Sequence, residues 1–260
     1  MEWSGSLPSV FTAHGSPLLA LDGRAWGEAV WTLGSALPPL RGILVCSAHW
    51  EAGGPFRLSS GDRPGVMHDF GGFPEALYAL DYPAPGSPVL AAEAAALLRT
   101  AGLEADLDAR RPLDHGAWVP LRYLAPEAAV PVVQLSLPRP RTPELLMAAG
   151  RALAPLRQSG VLILGSGGIV HNLRRLDWEE TSDPQPWALA FQGWVQGRLA
   201  AWDLKGLADW RQAPGAAESV PTSEHLDPLF LALGAAGGPP EPVFEGWQLG
   251  SLSLASYRFD

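Results

Sequence analysis

Gly42-Ile43-Leu44-Val45-Cys46-Ser47-Ala48 decides the fold class, because it is apolar on consecutive rather than alternate positions, carries no charge, and ends at His49. A strand with one wet face alternates. An unbroken apolar run that opens at a glycine describes a central strand covered on both faces, which requires helices on each side of a sheet. Similar short runs predict further strands at Ser9–Ala13, Phe56–Ser59, Leu103–Leu107, Val130–Leu137, Val161–Gly165, Val243–Trp247 and Ser251–Tyr257. Between them the spacing becomes helical. Ser87-Pro88 offers an N-cap and a first-turn proline for a helix over Val89–Ala101, and Thr142-Pro143 does the same for Glu144–Leu156. Apolar residues three or four apart predict helices over Arg24–Leu33, Pro74–Leu80, Trp118–Leu124, Trp187–Trp202 and Leu226–Ala235. The last two strands follow one another across Leu249-Gly250 and are expected to pair antiparallel. This order predicts an α/β protein, a three-layer α/β/α sandwich around a mixed, mostly parallel sheet. The Pro/Gly-rich stretches Gly61–Gly65, Asp81–Pro88 and Gly237–Pro242 are as short as loops, so residues 1–260 are expected to form a single catalytic domain.

Composition narrows the function. Apolar residues make up 47% and charged residues 17%, which excludes general disorder. The formal charge of −9, with arginines scattered and no basic run, excludes a surface that tracks a nucleic-acid backbone. The start MEWSGSLPSVF has neither a basic segment nor a long apolar one, and no stretch reaches ~18 uninterrupted apolar residues, so a cytoplasmic location away from membranes is expected. The one cysteine, Cys46, sits within an apolar run and reads as an inert core residue. With no thiolate cluster available, any metal must be held by nitrogen and oxygen.

The six histidines carry the chemistry, since each stands beside Gly, Asp, Asn, Trp or Glu at an expected strand end or helix start. In open α/β sheets, residues just past several strands converge on one crevice. His14 follows the first strand in Thr12-Ala13-His14-Gly15-Ser16-Pro17, and His49 ends the next in Ser47-Ala48-His49-Trp50-Glu51. They could share a metal; the alternative is that each caps its strand by hydrogen bonding. His115 opens a helix behind Asp114, which could hold its tautomer. His171 follows the glycine-rich turn Gly165-Ser166-Gly167-Gly168, with Asn172 as a similar partner or a local turn residue. That turn departs from the dinucleotide fingerprint, so no nicotinamide is expected. Glu224 and His225 occupy adjacent positions of a helix start capped by Thr222 or Ser223; they point about 100° apart, so one of them is expected to reach a metal directly. His68, on a loop, could line the pocket or lie on the surface.

Taken in order, Thr12–Pro17 (TAHGSP), Ser47–Glu51 (SAHWE), His68–Pro74 (HDFGGFP), Tyr82–Gly86 (YPAPG), Asp114–Leu121 (DHGAWVPL), Gly165–Asn172 (GSGGIVHN) and Glu224–Gly234 (EHLDPLFLALG) span nearly the whole chain. In them the sequence resembles the class III extradiol dioxygenases related to the protocatechuate 4,5-dioxygenase catalytic subunit, within the 4,5-DOPA dioxygenase extradiol-like branch. The resemblance implies that His14, His49 and His225 are metal ligands, and that His115 and His171 are the pocket acid/base groups. It also implies a small aromatic diol and O₂ as substrates. Better-known class III enzymes complete their ligand set with a carboxylate, whereas this branch uses a third histidine, a set that also suits Zn(II). Ring opening with O₂ needs a metal that can pass electron density, so Fe(II) is the expected metal and Zn(II) an alternative occupant. A monomer or small homo-oligomer is expected. Two rival readings remain: a zinc-dependent hydrolase on the same histidines, and a non-catalytic protein-binding relative. Retention of all five motif histidines weighs against the second.

Overall fold

The computed structural model of the chain describes residues 5–178 and 183–260. The strands are β1 Ser9–Ala13, β2 Gly42–Gly53, β3 Phe56–Ser59, β4 Ala105–Asp108, β5 Val132–Arg139, β6 Val161–Gly167, β7 Pro240–Phe244, β8 Trp247–Gln248, β9 Leu252–Ser253 and β10 Ser256–Phe259. One sheet takes the order β4-β3-β5-β2-β6-β1-β10-β7, and β8 with β9 forms a separate hairpin. The central strands β5, β2, β6 and β1 are mutually parallel. Within this sheet the antiparallel pairs are β3 against β5 and β10 against both β1 and β7.

The consecutive apolar residues of β2 serve two layers, as their pattern requires. Ile43 and Val45 pack with Trp26 and Val30 of the helix Arg24–Ala36 and with Trp118 and Leu121 of the helix His115–Leu124. Leu44 and Cys46 face the other layer, built from the helices Pro88–Thr100, Pro143–Leu153, Pro186–Ala200 and Asp227–Ala235. The result is the mixed α/β/α sandwich. Cys46 is fully buried, and burial pushes its thiol pKa up, so it has no reactive character. Among the described residues no helix is long and apolar enough to cross a membrane.

Local capping set the helix starts. Ser87 Oγ accepts from the Leu90 N–H at 3.1 Å and Thr142 Oγ1 from the Leu145 N–H at 3.3 Å. The helix expected over Glu144–Leu156 divides at Pro155, which has no N–H to continue the ladder, and Pro155–Gln158 forms its own turn. Strands also differ from expectation. The strand expected to stop at Ala48 runs on to Gly53, and the C-terminal pair is shared between two sheets. Leu249 (φ +51°) and Gly250 (φ +66°) turn β8 into β9, whereas β7 pairs with β10 at the edge of the main sheet.

Candidate metal centre and active site

Five histidines meet at the carboxyl ends of the central parallel strands. His14 directly follows β1, and His171 lies beyond the end of β6. His115 is the first residue of its helix, and His225 closes the 3₁₀ turn Ser223–His225. His49 is not past the end of β2, as expected, but inside it. β2 follows β5 in register through Cys46 and again from Glu51, with an irregularity between, and this local departure re-aims the side chain. Ring centroids are 4.9 Å apart for His14–His49 and for His49–His225, and 5.2 Å for His14–His225. His115 stands 4.0 Å from His49, and His171 stacks on His225 at 3.4 Å.

So close a gathering requires missing side chains beneath it. A Cβ on Gly116 would come within 2.4 Å of Ser47 Oγ and 2.9 Å of His49 Cδ2, and one on Gly167 within 2.0 Å of the His225 carbonyl. That carbonyl instead accepts the Gly168 N–H at 2.8 Å, tying the His225 turn to the end of β6.

Hydrogen bonds fix which nitrogen of the His14 and His225 rings carries the proton. Ser166 donates its hydroxyl hydrogen to the Gly116 carbonyl, so its oxygen must accept from His14 Nδ1, 2.9 Å away. His14 Nε2 is then a bare lone pair, and it lies 3.1 Å from His49 Nε2. Glu224 Oε1 stands 3.1 Å from His225 Nδ1 and also takes the Thr222 hydroxyl, so His225 donates from Nδ1. Its Nε2 is buried without a partner. A buried imidazole nitrogen without a hydrogen or a partner, as His225 Nε2 is, is costly unless a cation lies beside it. His14, His49 and His225 thus form a group that could hold a metal ion, with nitrogen atoms all within 4.8 Å of one another.

Electrostatics favour the same state. Burial, followed by the repulsion of neighbouring imidazoles, pushes the pKa values of His14 and His225 well down. Burial and His115 bring His49 to about 4, and burial and His49 bring His171 to about 4. Neutral imidazole is the form that donates to a metal.

Three expected partners lie elsewhere. Asp114 does not reach the His115 ring: it caps the helix through the Ala117 N–H, and accepts from Ser47, Arg111 and Gln134, bracing β2 instead. Asn172 does not touch His171, because its side chain donates to the Glu218 carbonyl and caps the 3₁₀ turn that follows. His68 faces the Leu80 carbonyl at 3.1 Å and packs on Trp118 and Tyr78, away from the cavity wall. Glu224 is the fourth, and it orients His225. Asp69, which the sequence reading passed over, lies 2.9 Å from His115 Nδ1 and 3.8 Å from His49 Nδ1. Burial raises its pKa, but the His115 hydrogen bonds outweigh burial and bring it to about 2.

Above the histidines opens a cavity of about 280 Å³, near the small end of ordinary ligand pockets (roughly 300–1,000 Å³). Its floor is His49, Asp69, His115, His171 and His225; Phe70, Phe73, Leu173, Leu176 and Trp178 are among its apolar walls. The small volume and the mix of apolar walls with an imidazole floor suit a small ring with a polar edge.

A family profile described as the catalytic LigB subunit of aromatic ring-opening dioxygenase matches residues 27–260. The chain belongs to the LigB family. Within this family of extradiol ring-opening dioxygenases it is 39% identical to the 4,5-DOPA dioxygenase extradiol of Escherichia coli K12, over 98% of this chain and 95% of that one. It is 38% identical to the 4,5-DOPA dioxygenase extradiol of Beta vulgaris, over 96% and 95%. The LigB fold is also found in the crystal structure of an uncharacterized protein from Escherichia coli K12, with a TM-score of 0.84 at 33% identity, covering 98% of this chain and 100% of that one.

Proposed function

We propose that this LigB-family chain opens the ring of a catechol-type diol, DOPA-like or related, with O₂ at a single Fe(II) held by His14, His49 and His225. The observation that carries the reading is the unpartnered, buried Nε2 of His225 beside the facing Nε2 atoms of His14 and His49. When bound, Fe(II) would supply a redox-active Lewis acid that brings diol and O₂ together, a role d¹⁰ zinc cannot fill. The chain's own residues do the rest. Phe70, Phe73 and Trp178 supply apolar and aromatic surface for the ring and exclude water from the histidine floor. His115 and His171 flank the ligands and are the groups that take up and return the diol protons. Ser166 and Glu224 keep His14 and His225 in the tautomer that leaves Nε2 bare.

Anaerobic loading with Fe(II), followed by catechol and then oxygen, tests this directly. A yellow ring-opened product with one O₂ consumed per product is expected. Hydrolysis of a test ester by zinc-loaded protein, with no response of iron-loaded protein to catechols, would overturn it in favour of a hydrolase.

A further inference from the structure

The histidine cavity continues outward. Ser16, Trp178 and Leu249 line it and also line a second cavity of about 230 Å³, among whose walls are Asp22, Arg24 and Gln248. The hairpin of β8 and β9 stands between the two: Leu252 lines the histidine cavity, and Gln248, its pairing partner, lines the outer one. Gln248 is fixed from the histidine side. Its Oε1 accepts the Ser16 N–H at 3.0 Å, and glycine is required just before, because Gly15 has φ +52° and a Cβ there would come within 2.5 Å of that oxygen. With the oxygen so engaged, the amide presents its NH₂ on the opposite side. Among the described residues no group accepts from that nitrogen. Ser16 Oγ accepts the Leu18 N–H at 3.4 Å, which leaves its hydroxyl hydrogen to donate. Asp22, the acidic residue of this lining, already faces Arg24 Nε at 3.4 Å. The polar lining therefore offers donors, and its carboxylate is engaged.

We propose that the outer cavity is a subsite for the substrate's side chain, and that Gln248 Nε2, with the Ser16 hydroxyl and the Arg24 charge, selects catechols whose substituent ends in a carboxylate. With the diol edge of the ring toward the histidines, a substituent on the far edge leaves past Ser16 and Leu249 into the outer cavity. There a carboxylate receives charge-assisted hydrogen bonds. An ammonium tail would meet donors instead, and an apolar tail would leave them without an acceptor, so both are disfavoured by the same groups. The Arg24 pair with Asp22 is exposed and weakly held, so its charge adds to the field of the subsite while the fixed amide of Gln248 supplies the direction. The assignment names the substrate class for the ring-opening function proposed above and rests on that reading, but its test does not require turnover.

The test measures anaerobic binding to the zinc-loaded protein, by calorimetry, of catechols that differ only in their tail: propionate, propyl or aminopropyl. Wild type is expected to bind the propionate tail about tenfold or more tighter than the propyl tail, and the aminopropyl tail no tighter than the propyl. Gln248→Glu keeps an oxygen for the Ser16 N–H but turns the donor into an anionic acceptor. With metal content as the check that the site is intact, this variant is expected to bring the propionate-to-propyl affinity ratio to about one or below and to favour the aminopropyl tail. Gln248→Met, of similar length and without a donor, is expected to lose the propionate preference without reversing it, and it decides should Gln248→Glu fail to fold. Equal binding of propionate and propyl tails by wild type, or a propionate preference that survives in either variant, would overturn the proposal. A wild type that prefers the propionate tail but opens no ring on iron loading would count against the function and leave the subsite standing, whereas a protein that binds none of the three catechols removes both.

Discussion

His14, His115 and His225 each have a partner that aims the ring, and the partners are as testable as the ligands. Truncating His225 to alanine should abolish stoichiometric metal binding, since one of three nitrogens is gone. Glu224→Gln should keep the fold but weaken metal affinity about 10–100-fold, because the His225 Nδ1–H loses its charged acceptor. Metal titration followed by elemental analysis checks both, and unchanged affinity in Glu224→Gln would contradict the role given to Glu224. Gly167→Ala places a methyl against the His225 carbonyl and should destabilise by about 1–3 kcal/mol while displacing the ligand turn. The histidines were legible in the sequence because each sits at an expected element boundary. Asp69 was not, because it meets its partner across 46 residues of sequence. Asp114 misled by adjacency: at an N-cap its carboxylate turns back to the Ala117 N–H, while the next residue's ring leaves in another direction.

Among elements, β2 matters most, because it both fills the sheet centre and carries His49. Its extension beyond Ala48 is held by charge: Glu51 pairs with Arg139 and with Arg141 at 2.7 Å, and Arg141 reaches Asp227 at 2.5 Å. Asp227 begins the helix Asp227–Ala235 and also takes the Ser223 hydroxyl, so one guanidinium joins the His49 strand to the His225 turn. Arg141→Ala leaves the well-buried Asp227 carboxylate without its cation, while Glu51 keeps Arg139, and should cost about 3–5 kcal/mol. Denaturant unfolding reads this as a lower midpoint at constant slope, with weaker metal binding alongside. Unchanged stability would mean the network is ornamental to the fold. This extension could not be read from the sequence, where Trp50-Glu51 looks like an exit from the strand; its pairing partners lie some 90 residues away. Ser87 and Thr142 were legible because a cap bonds within three residues of itself.

For the whole molecule, the burial of neutral imidazoles makes the metal-free protein acid-sensitive. The folded pKa values of His14, His49, His171 and His225 lie below the ordinary 6.5, to about 4 for His49 and His171. Below about pH 6.5 the unfolded chain therefore binds more protons than the native one, and stability falls as pH drops toward 4. Asp69, depressed from 3.8 to about 2, adds a loss in the same direction at lower pH. Thermal unfolding of metal-free protein from about pH 8 to pH 5 should show a falling Tm below about 6.5, and a flat profile would contradict the buried, neutral cluster. Bound metal should raise Tm, by about 4 kcal/mol of added stability at a thousandfold excess over Kd, and a chelator should reverse it. The α/β/α architecture was legible from runs such as Gly42–Ala48, whereas the division of the C-terminal strands between two sheets depends on pairings only the folded chain defines. The most direct test of the central claim is anomalous diffraction from crystals of the metal-loaded protein. One ion is expected about 2.0–2.1 Å from the Nε2 atoms of His14, His49 and His225; an ion seated instead among His49, Asp69 and His115, or none at all, would contradict it.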